Sequence, residues 1–387
     1  MKRHPDSSLR IVCATSVAGG FEAFSTLGNT LMVPEPEINP QVVRQADMLI
    51  TRSKVKITND LLEHSNLKFY GTATAGTDHM DIDALERRGV AWSEAAGSNA
   101  NSVAEYIMAV LSWLAVNRQL SWAGKTIGII GAGHVGSRVA MLAEIMGMNV
   151  LLNDPPLRDK TGADIYRDLN DVLGRSDVVS LHVPLTDNGD HPTREMANKL
   201  FFAAMKPGAV FINASRGEVV DEYALDYASL KRVFSAIVLD VFNHEPDINI
   251  DTLQLSTLAT PHIAGYSLDA RLKGTDVIYR AACRHLGAQP IWQPNGKKSK
   301  LLISLSANKS QGERLIHECI LSAYNPEIDD QKLRALPVGV PMKNHFQNLR
   351  KNYPDRHEFS NYTVSIPRQI AYIGESLKKL GFHISSE

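Results

Sequence analysis

A glycine-rich turn is the feature of this 387-residue chain that most limits how it can fold. Gly131-Ala-Gly133-His-Val-Gly136 directly follows an apolar run over residues 126–130 and opens a segment with apolar residues at helical spacing. In a strand–turn–helix unit of this kind, the first glycine makes the tight turn, the second lets the backbone approach a pyrophosphate, and the third allows close helix packing. The turn therefore predicts a βαβ unit with an anion at a helix N-terminus.

An acidic residue completes this dinucleotide-binding pattern. Asp154 follows the next predicted strand, residues 149–153, where an acceptor for the adenosine ribose hydroxyls is required. Because an acid at this position repels a 2′-phosphate, the sequence predicts NAD as the cofactor, and nearby Arg158 leaves NADP open as an alternative. The predicted cofactor contacts in this part of the chain are Gly131, Gly133, His134, Val135, Gly136 and Asp154.

Short apolar runs alternate with helical patterns along most of the chain, which is typical of α/β proteins with parallel sheets. Several runs are apolar on both faces, as buried parallel strands must be. A nearly continuous apolar segment over residues 99–120 predicts a long buried helix. The predicted strands cover residues 9–12, 48–50, 68–70, 90–92, 126–130, 149–153, 177–183, 209–214 and 235–241.

The alternation fades after Gly287. Residues 289–300 contain two prolines and a Lys-Lys-Ser-Lys run, a composition that predicts a linker into a further unit of roughly ninety residues.

Composition excludes several classes of protein. The chain has 41 Lys and Arg against 42 Asp and Glu, a net charge of −1, so neither a broadly basic nucleic-acid binder nor an acidic disordered protein is expected. The three cysteines have no metal-ligand spacing, and we expect no metal. Residues 1–8 are too polar for a signal peptide, and no run of 18 apolar residues suggests a membrane span, so the cytoplasm is the expected location.

Polar residues follow three later segments that should end at the carboxyl edge of one sheet: Arg216, Glu245 and His262. Oxidation of a 2-hydroxy acid needs a base for the hydroxyl proton, a cation for the carboxylate and a hydride acceptor, which histidine, arginine and NAD⁺ supply. A carboxylate beside the histidine would orient its ring. Each residue taken alone also fits a structural role, and spacing by itself does not show that they meet.

These residues resemble the D-isomer-specific 2-hydroxyacid dehydrogenase family. The general family motifs are matched at residues 131–136, 206–217, 219–221, 239–241, 245–246 and 261–262. A narrower set is similar to one branch of the family, which acts on a phosphorylated 2-hydroxy acid. That set comprises residues 52–53, 71–79, 154–156, 191–194, 262–266 and 349–353.

The resemblance implies a role for each matched residue. Arg216 would bind the substrate carboxylate, Glu245 would pair with the imidazole, and His262 would exchange the proton. Asp240 would contact the nicotinamide amide, and Val183 occupies a cofactor-site position where the family commonly has threonine. The remaining implied contacts are Ala214, Ser215 and Gly265 for the cofactor and Ser53, Thr74 and Tyr266 for the substrate.

A substrate phosphate also needs a cation. Arg52 is the nearest candidate along the sequence, followed by Lys54, Arg271 and Lys273, and an ordinary surface charge is an equally good interpretation of Arg52.

The resemblance also implies three domains and a homodimer. A Rossmann-type NAD-binding domain would cover residues 106–264, and a flavodoxin-like discontinuous substrate domain residues 1–105 and 265–287. A C-terminal α+β dimerisation domain would cover residues 288–387. A dehydrogenase of the phosphoglycerate or glycerate type and an NADH-sensing co-repressor of the same fold remain alternatives.

Overall fold

The computed structural model describes residues 6–294, 301–305 and 312–386, so the Lys-Lys-Ser-Lys run and the first five residues lie outside the described residues. The strands are β1 (Asp6–Ala14), β2 (Gly28–Val33), β3 (Met48–Thr51), β4 (Phe69–Thr72), β5 (Ala91–Glu94), β6 (Thr126–Ile130), β7 (Asn149–Asn153), β8 (Val178–Leu181), β9 (Ala209–Asn213), β10 (Phe234–Leu239), β11 (Leu258–Ala259), β12 (Leu301–Ser304), β13 (Tyr362–Ile366) and β14 (His383–Ser386). The α-helices are α1 (Gly20–Phe24), α2 (Pro40–Arg44), α3 (Ile82–Arg87), α4 (Ala100–Arg118), α5 (His134–Ile145), α6 (Pro155–Thr161), α7 (Leu169–Arg175), α8 (Lys199–Ala204), α9 (Glu222–Leu230), α10 (Ile250–Leu255), α11 (Leu268–Leu286), α12 (Glu313–Ala323), α13 (Glu327–Arg334), α14 (Met342–Lys351) and α15 (Gly374–Leu380).

The chain folds into two compact units. The first unit contains the described residues up to 99 and from 268 to 294, and the second contains residues 100–267 with the described residues after 300. The chain therefore passes from one unit to the other where α4 and α11 begin, close to the expected domain limits at 105 and 265. Because the C-terminal segment groups with residues 100–267, its assignment as a separate third domain stays a prediction.

The first unit is built on a five-stranded parallel sheet with the order β2-β1-β3-β4-β5. This is the order of flavodoxin-like folds, as expected. Strands β3 and β4 are buried along their whole length. On this unit's core, α11 places Tyr279 edge-on to Phe24 at 5.9 Å between ring centres, so the distant segment after residue 267 completes the unit.

The second unit is built on a six-stranded parallel sheet with the order β11-β10-β9-β8-β6-β7. Strand order reverses at β6, because β7 lies on one side of it and β8 on the other. In open α/β sheets, ligands bind beyond the carboxyl ends of the strands at such a switch point. This Rossmann-type arrangement confirms the predicted fold class and places the glycine turn at the switch point.

The long apolar segment forms α4, which is buried on nearly all sides. Its side chains share one apolar core with those of β6 and α5, including Ile107, Leu111, Ile127 and Val139. The indole Nε1 of Trp122 donates a 2.7 Å hydrogen bond to the Leu111 carbonyl, which closes the turn between α4 and β6.

The C-terminal segment carries its own three-stranded parallel sheet, β12-β13-β14. Helices α12 to α14 lie between β12 and β13, and α15 lies between β13 and β14, so helical crossovers connect the parallel strands. The sequence predicts a mixed helix and sheet segment here, and the structure specifies it as a parallel arrangement. Phe359 and Phe382 stack at 4.5 Å and belong to the same apolar core as α4.

The three cysteines, Cys13, Cys283 and Cys319, are buried free thiols. Burial raises the pKa of both Cys13 and Cys319 to about 12, so these two side chains are protonated at neutral pH.

Among the described residues, no helix has the length and apolar character needed to cross a membrane.

Candidate active site

Two glycines of the turn are required by packing. Gly131 has a φ of +90°, and a Cβ atom there would lie 2.8 Å from the backbone of His182, which follows β8. A Cβ atom on Gly136 would lie 1.9 Å from the Gly131 carbonyl oxygen. The turn after β6 therefore touches the end of β8 on one side and the first turn of α5 on the other.

Gly133 is different, because a Cβ atom there would meet no protein atom within 4 Å. Its φ of −69° is also open to other residues, so neither packing nor backbone conformation requires glycine. As the N-cap of α5, Gly133 provides no side chain to accept hydrogen bonds from the first-turn amides. A glycine and a helix N-terminus with these properties fit a pyrophosphate, and the location of the NAD site at this turn stays a prediction.

Both carboxylate oxygens of Asp154 accept backbone hydrogen bonds, and one of these comes from the glycine turn. Its Oδ2 accepts a 2.8 Å hydrogen bond from the Ala132 amide, and its Oδ1 accepts one of 2.9 Å from the Leu157 amide at the start of α6. Each oxygen keeps a further lone pair for a ribose hydroxyl. The arrangement suits the ribose-binding role predicted for Asp154.

Val183 borders the switch point, and the turn after β9 belongs to the strand next to β8. The Val183 Cγ1 atom would lie 2.9 Å from a Cβ on Gly131, so this side chain contacts the glycine turn directly. Ala214 and Ser215 follow β9, and Ser215 donates hydrogen bonds from its amide and its hydroxyl to the Asn213 Oδ1 atom at 3.0 and 2.8 Å.

Arg216 lies at the end of this turn, and its position depends on two neighbours. The Asn213 side-chain amide donates a 2.9 Å hydrogen bond to the Arg216 carbonyl. A Cβ atom on Gly217 would lie 2.0 Å from the Phe242 carbonyl group. The turn that carries Arg216 therefore packs tightly on the segment that follows β10.

His262 and Glu245 form a hydrogen-bonded pair. The distance from His262 Nδ1 to Glu245 Oε2 is 2.7 Å, and the other oxygen, Oε1, accepts a 3.0 Å bond from the Phe242 amide. Burial alone would raise the pKa of Glu245, but the His262 ring, followed by the charge of Arg350, holds that pKa below its ordinary value. The carboxylate stays ionised and orients the imidazole.

Asp240 anchors the backbone around His262. Its carbonyl accepts the His262 amide at 2.7 Å, and its carboxylate accepts the amides of Ile263 and Ala264 at 2.8 and 2.9 Å. The Thr260 hydroxyl donates a further bond of 2.6 Å to this carboxylate. His262 adopts a left-handed conformation with a φ of +55°, which costs about 1–3 kcal/mol and persists only where surrounding contacts hold it.

Asp240 therefore has a structural role in addition to the nicotinamide contact predicted for it. Burial raises the pKa of its carboxyl, and the nearby His262 opposes that rise.

Gly265 and Tyr266 follow in the same loop. The Tyr266 amide donates a 2.9 Å hydrogen bond to the Ile263 carbonyl, and its ring lies edge-on to Tyr353 at 5.8 Å. The Tyr353 ring belongs to the C-terminal segment, so part of this segment borders the loop that carries His262.

In the first unit, the structure brings together two of the predicted substrate residues. The Ser53 amide, after β3, donates a 3.2 Å hydrogen bond to the Thr74 hydroxyl, after β4. The next turn is fixed by Glu94, whose carboxylate accepts the Gly76 amide at 2.6 Å. Parallel strands explain this meeting, because their carboxyl ends share one edge.

The phosphate-binding candidates all belong to the first unit as well. Arg52 and Lys54 flank Ser53, and Arg271 and Lys273 lie on α11. A Cβ atom on Gly274 would lie 2.9 Å from the Ala73 carbonyl oxygen, so this part of α11 packs closely on the loop that carries Thr74. Among the described residues, no cluster of three or more His, Cys, Asp or Glu side chains is placed to hold a metal ion.

Sequence reasoning missed several residues that support the site. Asn213 could have been found, since an asparagine that ends a strand commonly bonds the backbone two or three residues on. Arg356 has no local signal: it donates a 2.5 Å hydrogen bond to the Ala264 carbonyl from a distant part of the chain. Burial disfavours its charge, but Tyr353, Tyr324 and Asp329 hold the pKa of Arg356 above its ordinary value.

Comparison with known proteins agrees with this geometry. Residues 104–264 match the family described as D-isomer specific 2-hydroxyacid dehydrogenase, NAD binding domain, and residues 299–381 match a domain of unknown function, DUF3410. The chain is 38% identical to erythronate-4-phosphate dehydrogenase of Marinobacter nauticus, over 93% of this chain and 96% of that protein. It is 36% identical to the enzyme of the same name from Hahella chejuensis, over 94% and 96% of the two chains.

The chain belongs to the erythronate-4-phosphate dehydrogenase family. It is thus an NAD-dependent dehydrogenase of the 2-hydroxyacid type, as the glycine turn and the resemblance predicted. The fold is shared with NAD⁺-bound 3-phosphoglycerate dehydrogenase of Entamoeba histolytica, with a TM-score of 0.62 and 23% identity over 74% of this chain and 99% of that one.

The contrast between two glycines of the turn gives a testable prediction. We expect Gly133→Ala to fold with an unchanged melting temperature but to bind NAD more weakly, because the added methyl group meets no protein atom and lies where the pyrophosphate approaches. Gly136→Ala should instead destabilise the protein by about 1–3 kcal/mol, because its methyl group overlaps the Gly131 carbonyl. Thermal unfolding and calorimetric titration with NAD measure the two effects. Equal NAD affinity of Gly133→Ala and the wild type would contradict the assignment of the cofactor site.

Proposed function

We propose that the chain catalyses the NAD-dependent oxidation of 4-phospho-D-erythronate to (R)-3-hydroxy-2-oxo-4-phosphooxybutanoate, a step of pyridoxal 5′-phosphate (vitamin B6) synthesis. The observation that carries this proposal is the 2.7 Å His262–Glu245 pair at the sheet edge that also carries the dinucleotide turn. When bound, NAD⁺ accepts the hydride from the substrate C2 atom. Similarity to erythronate-4-phosphate dehydrogenases over nearly the whole chain supports the choice of substrate.

His262 acts as the base in this proposal. Its Nδ1 atom donates its hydrogen to the Glu245 carboxylate, which leaves the Nε2 lone pair to accept the proton of the C2 hydroxyl. As the proton arrives, the ring becomes an imidazolium, and the adjacent carboxylate stabilises that charge. Glu245 needs to be ionised for this role, and the lowered pKa of its carboxyl meets that requirement.

Arg216 binds the substrate carboxylate and polarises the reacting carbon. A guanidinium group can hold a carboxylate through two parallel hydrogen bonds, which fixes the orientation of C2 as well as its position. Packing of Gly217 on the Phe242 carbonyl supports this role, because it fixes the turn that carries Arg216 next to the segment that leads to Glu245.

Hydroxyl groups serve the remaining oxygens of the substrate. Ser53, Thr74 and Tyr266 are the proposed contacts, and a phosphate additionally favours one of the cations Arg52, Lys54, Arg271 or Lys273. The hydrogen bond between Ser53 and Thr74 supports a shared role for these two residues in the first unit. For the cofactor, we assign Asp154 to the ribose, Asp240 to the nicotinamide amide, and Val183, Ala214, Ser215 and Gly265 to the lining of the cleft.

We also propose that the protein is a cytoplasmic homodimer. The three buried free thiols fit a reducing compartment. Residues 299–381, within the proposed C-terminal domain of residues 288–387, match a domain separate from the NAD-binding family, and we assign dimerisation to this C-terminal domain.

The substrate assignment predicts a rank order of activities. NADH formation should be fastest with 4-phosphoerythronate and slower with 3-phosphoglycerate, glycerate and lactate, because only the first combines the required carboxylate, hydroxyls and phosphate spacing. NAD should be used better than NADP, since Asp154 repels a 2′-phosphate. Absorbance at the NADH band measures both. A faster reaction with 3-phosphoglycerate or glycerate would move the chain to another branch, and no turnover of any hydroxy acid would favour a co-repressor.

The acid–base assignment predicts a graded series of variants. His262→Ala should lower kcat by about two to four orders of magnitude, the usual contribution of a positioned proton-transfer group. Glu245→Gln should cause a smaller loss, because the amide oxygen still accepts the Nδ1 hydrogen but no longer stabilises the imidazolium. His383→Ala, at an exposed histidine in β14, is the matched control and should keep full activity. Stopped-flow or steady-state NADH formation gives the rates, and near-normal kcat in His262→Ala would reject the assignment.

Sedimentation tests the oligomeric state. A chain of 42.6 kDa should sediment at micromolar concentration with twice that mass. Removal of the C-terminal segment cannot serve as the control, since its side chains belong to the core of the second unit. A mass equal to that of one chain would contradict the homodimer.

A further inference from the structure

Helix α14 of the C-terminal segment packs against the loop that carries Glu245. Its residues Met342 and Phe346 are buried in the same apolar core as Phe242. The rings of Phe346 and Phe242 meet edge-on, with 6.4 Å between their centres. The Phe242 amide in turn donates to the Glu245 carboxylate. Phe242 therefore links α14 to the acid–base pair, through its ring on one side and its amide on the other.

The neighbouring helix α13 fixes the same segment to the His262 side of the sheet. The Asp330 carboxylate accepts the amide of Ala259, in β11, at 2.7 Å. The Arg334 guanidinium donates to the Leu253 and Ser256 carbonyls at 2.9 Å each. These bonds place the α13–α14 pair on the strand that precedes His262, so α14 approaches the site in a defined position.

Arg350 lies one helical turn after Phe346, and residues four apart share one helix face. Its Nε atom is buried and has no hydrogen-bond partner among the described residues. A cation in this position is not explained by a structural ion pair within the described part of the chain. Its charge acts on Glu245, second only to His262 among the groups that favour the ionised carboxylate.

We propose that Arg350 is a positioning residue for the acid–base pair, a cation that keeps Glu245 ionised and so holds His262 in the orientation needed for proton transfer. This inference rests on the proposed function of His262 and extends it to the C-terminal segment. Arg350 acts through Glu245 and need not touch the substrate. Arg350 belongs to the 349–353 motif, for which the sequence alone suggests no role.

The charges around Glu245 and His262 determine the direction in which replacement of Arg350 shifts the titration. Asp240, which follows β10, interacts electrostatically with His262, and Arg350 on α14 interacts in the same way with Glu245. Glu222, on α9, accepts the Asn243 amide at 3.3 Å from the other side of the loop. Of these groups Arg350 is the cation, so its removal leaves Glu245 in a more negative environment, which favours the protonated carboxyl.

Titration of the Glu245 carboxyl tests the proposal without relying on any substrate. In Arg350→Gln, the carbon-13 NMR titration midpoint of Glu245 should rise by about half a unit to one unit, which is roughly a three- to tenfold increase in proton affinity. The acidic limb of kcat/KM for NADH formation should shift upward by the same amount. Arg350→Lys keeps the charge and should restore both values, and Lys351→Gln, at the exposed neighbouring position, should change neither.

The outcomes separate this proposal from the proposed function. If Arg350→Gln and the wild type give the same Glu245 midpoint, Arg350 has no positioning role, whatever the substrate. If Arg350→Gln and Arg350→Lys lower the melting temperature alike and leave the midpoint unchanged, the residue serves only packing, and the proposal is overturned. If 4-phosphoerythronate is not oxidised but the midpoint rises, the substrate assignment fails while the role of Arg350 stands.

Discussion

The site depends on one buried carboxylate. Asp240 follows β10 at the sheet edge and accepts hydrogen bonds from three successive amides of the loop after β11. Its main-chain carbonyl accepts the first amide, and its carboxylate accepts the other two. A buried carboxylate is costly unless it is hydrogen-bonded, and the Ile263 and Ala264 amides with the Thr260 hydroxyl supply three such bonds. In return, the loop is fixed so firmly that His262 keeps a left-handed backbone conformation. Orientation of the imidazole thus begins at the sheet and passes to the side chain through the backbone.

The C-terminal segment extends the same support from the outside of the loop. Leu315, Ile320 and Phe359 share the apolar core of α4, so the segment is part of the second unit's interior. From this base, Arg356 bonds the Ala264 carbonyl while Asp240 bonds the Ala264 amide, which holds one peptide unit on each side of this residue. A segment that packs in this way can influence the acid–base chemistry, whether or not it also forms a subunit interface.

Much of the fold could be predicted from the sequence because central parallel strands are buried on both faces. Strand β6 begins and ends where its apolar run does, and β3, β4, β8 and β9 are buried throughout. The edge strand β2 was missed, since its middle residues are partly or fully exposed and leave no continuous apolar run. The two-residue β11 and the polar β14 carry even less signal, because their pairing partners rather than their own side chains determine them.

The difference between a local sequence signal and contacts with distant partners also explains which site residues could be predicted from the sequence. The glycine turn, Arg216, Glu245 and His262 each follow a strand or lie in a short motif, so local spacing points to one edge of the sheet. Their mutual geometry depends on contacts that spacing does not show. Gly217 illustrates this: as a sequence letter it only follows Arg216, but in the fold it is where two loops from adjacent strands, β9 and β10, touch backbone to backbone. Any larger side chain there would separate the turn of Arg216 from the segment that leads to Glu245. The glycine therefore belongs to the geometry of the site although it has no group that could take part in the reaction.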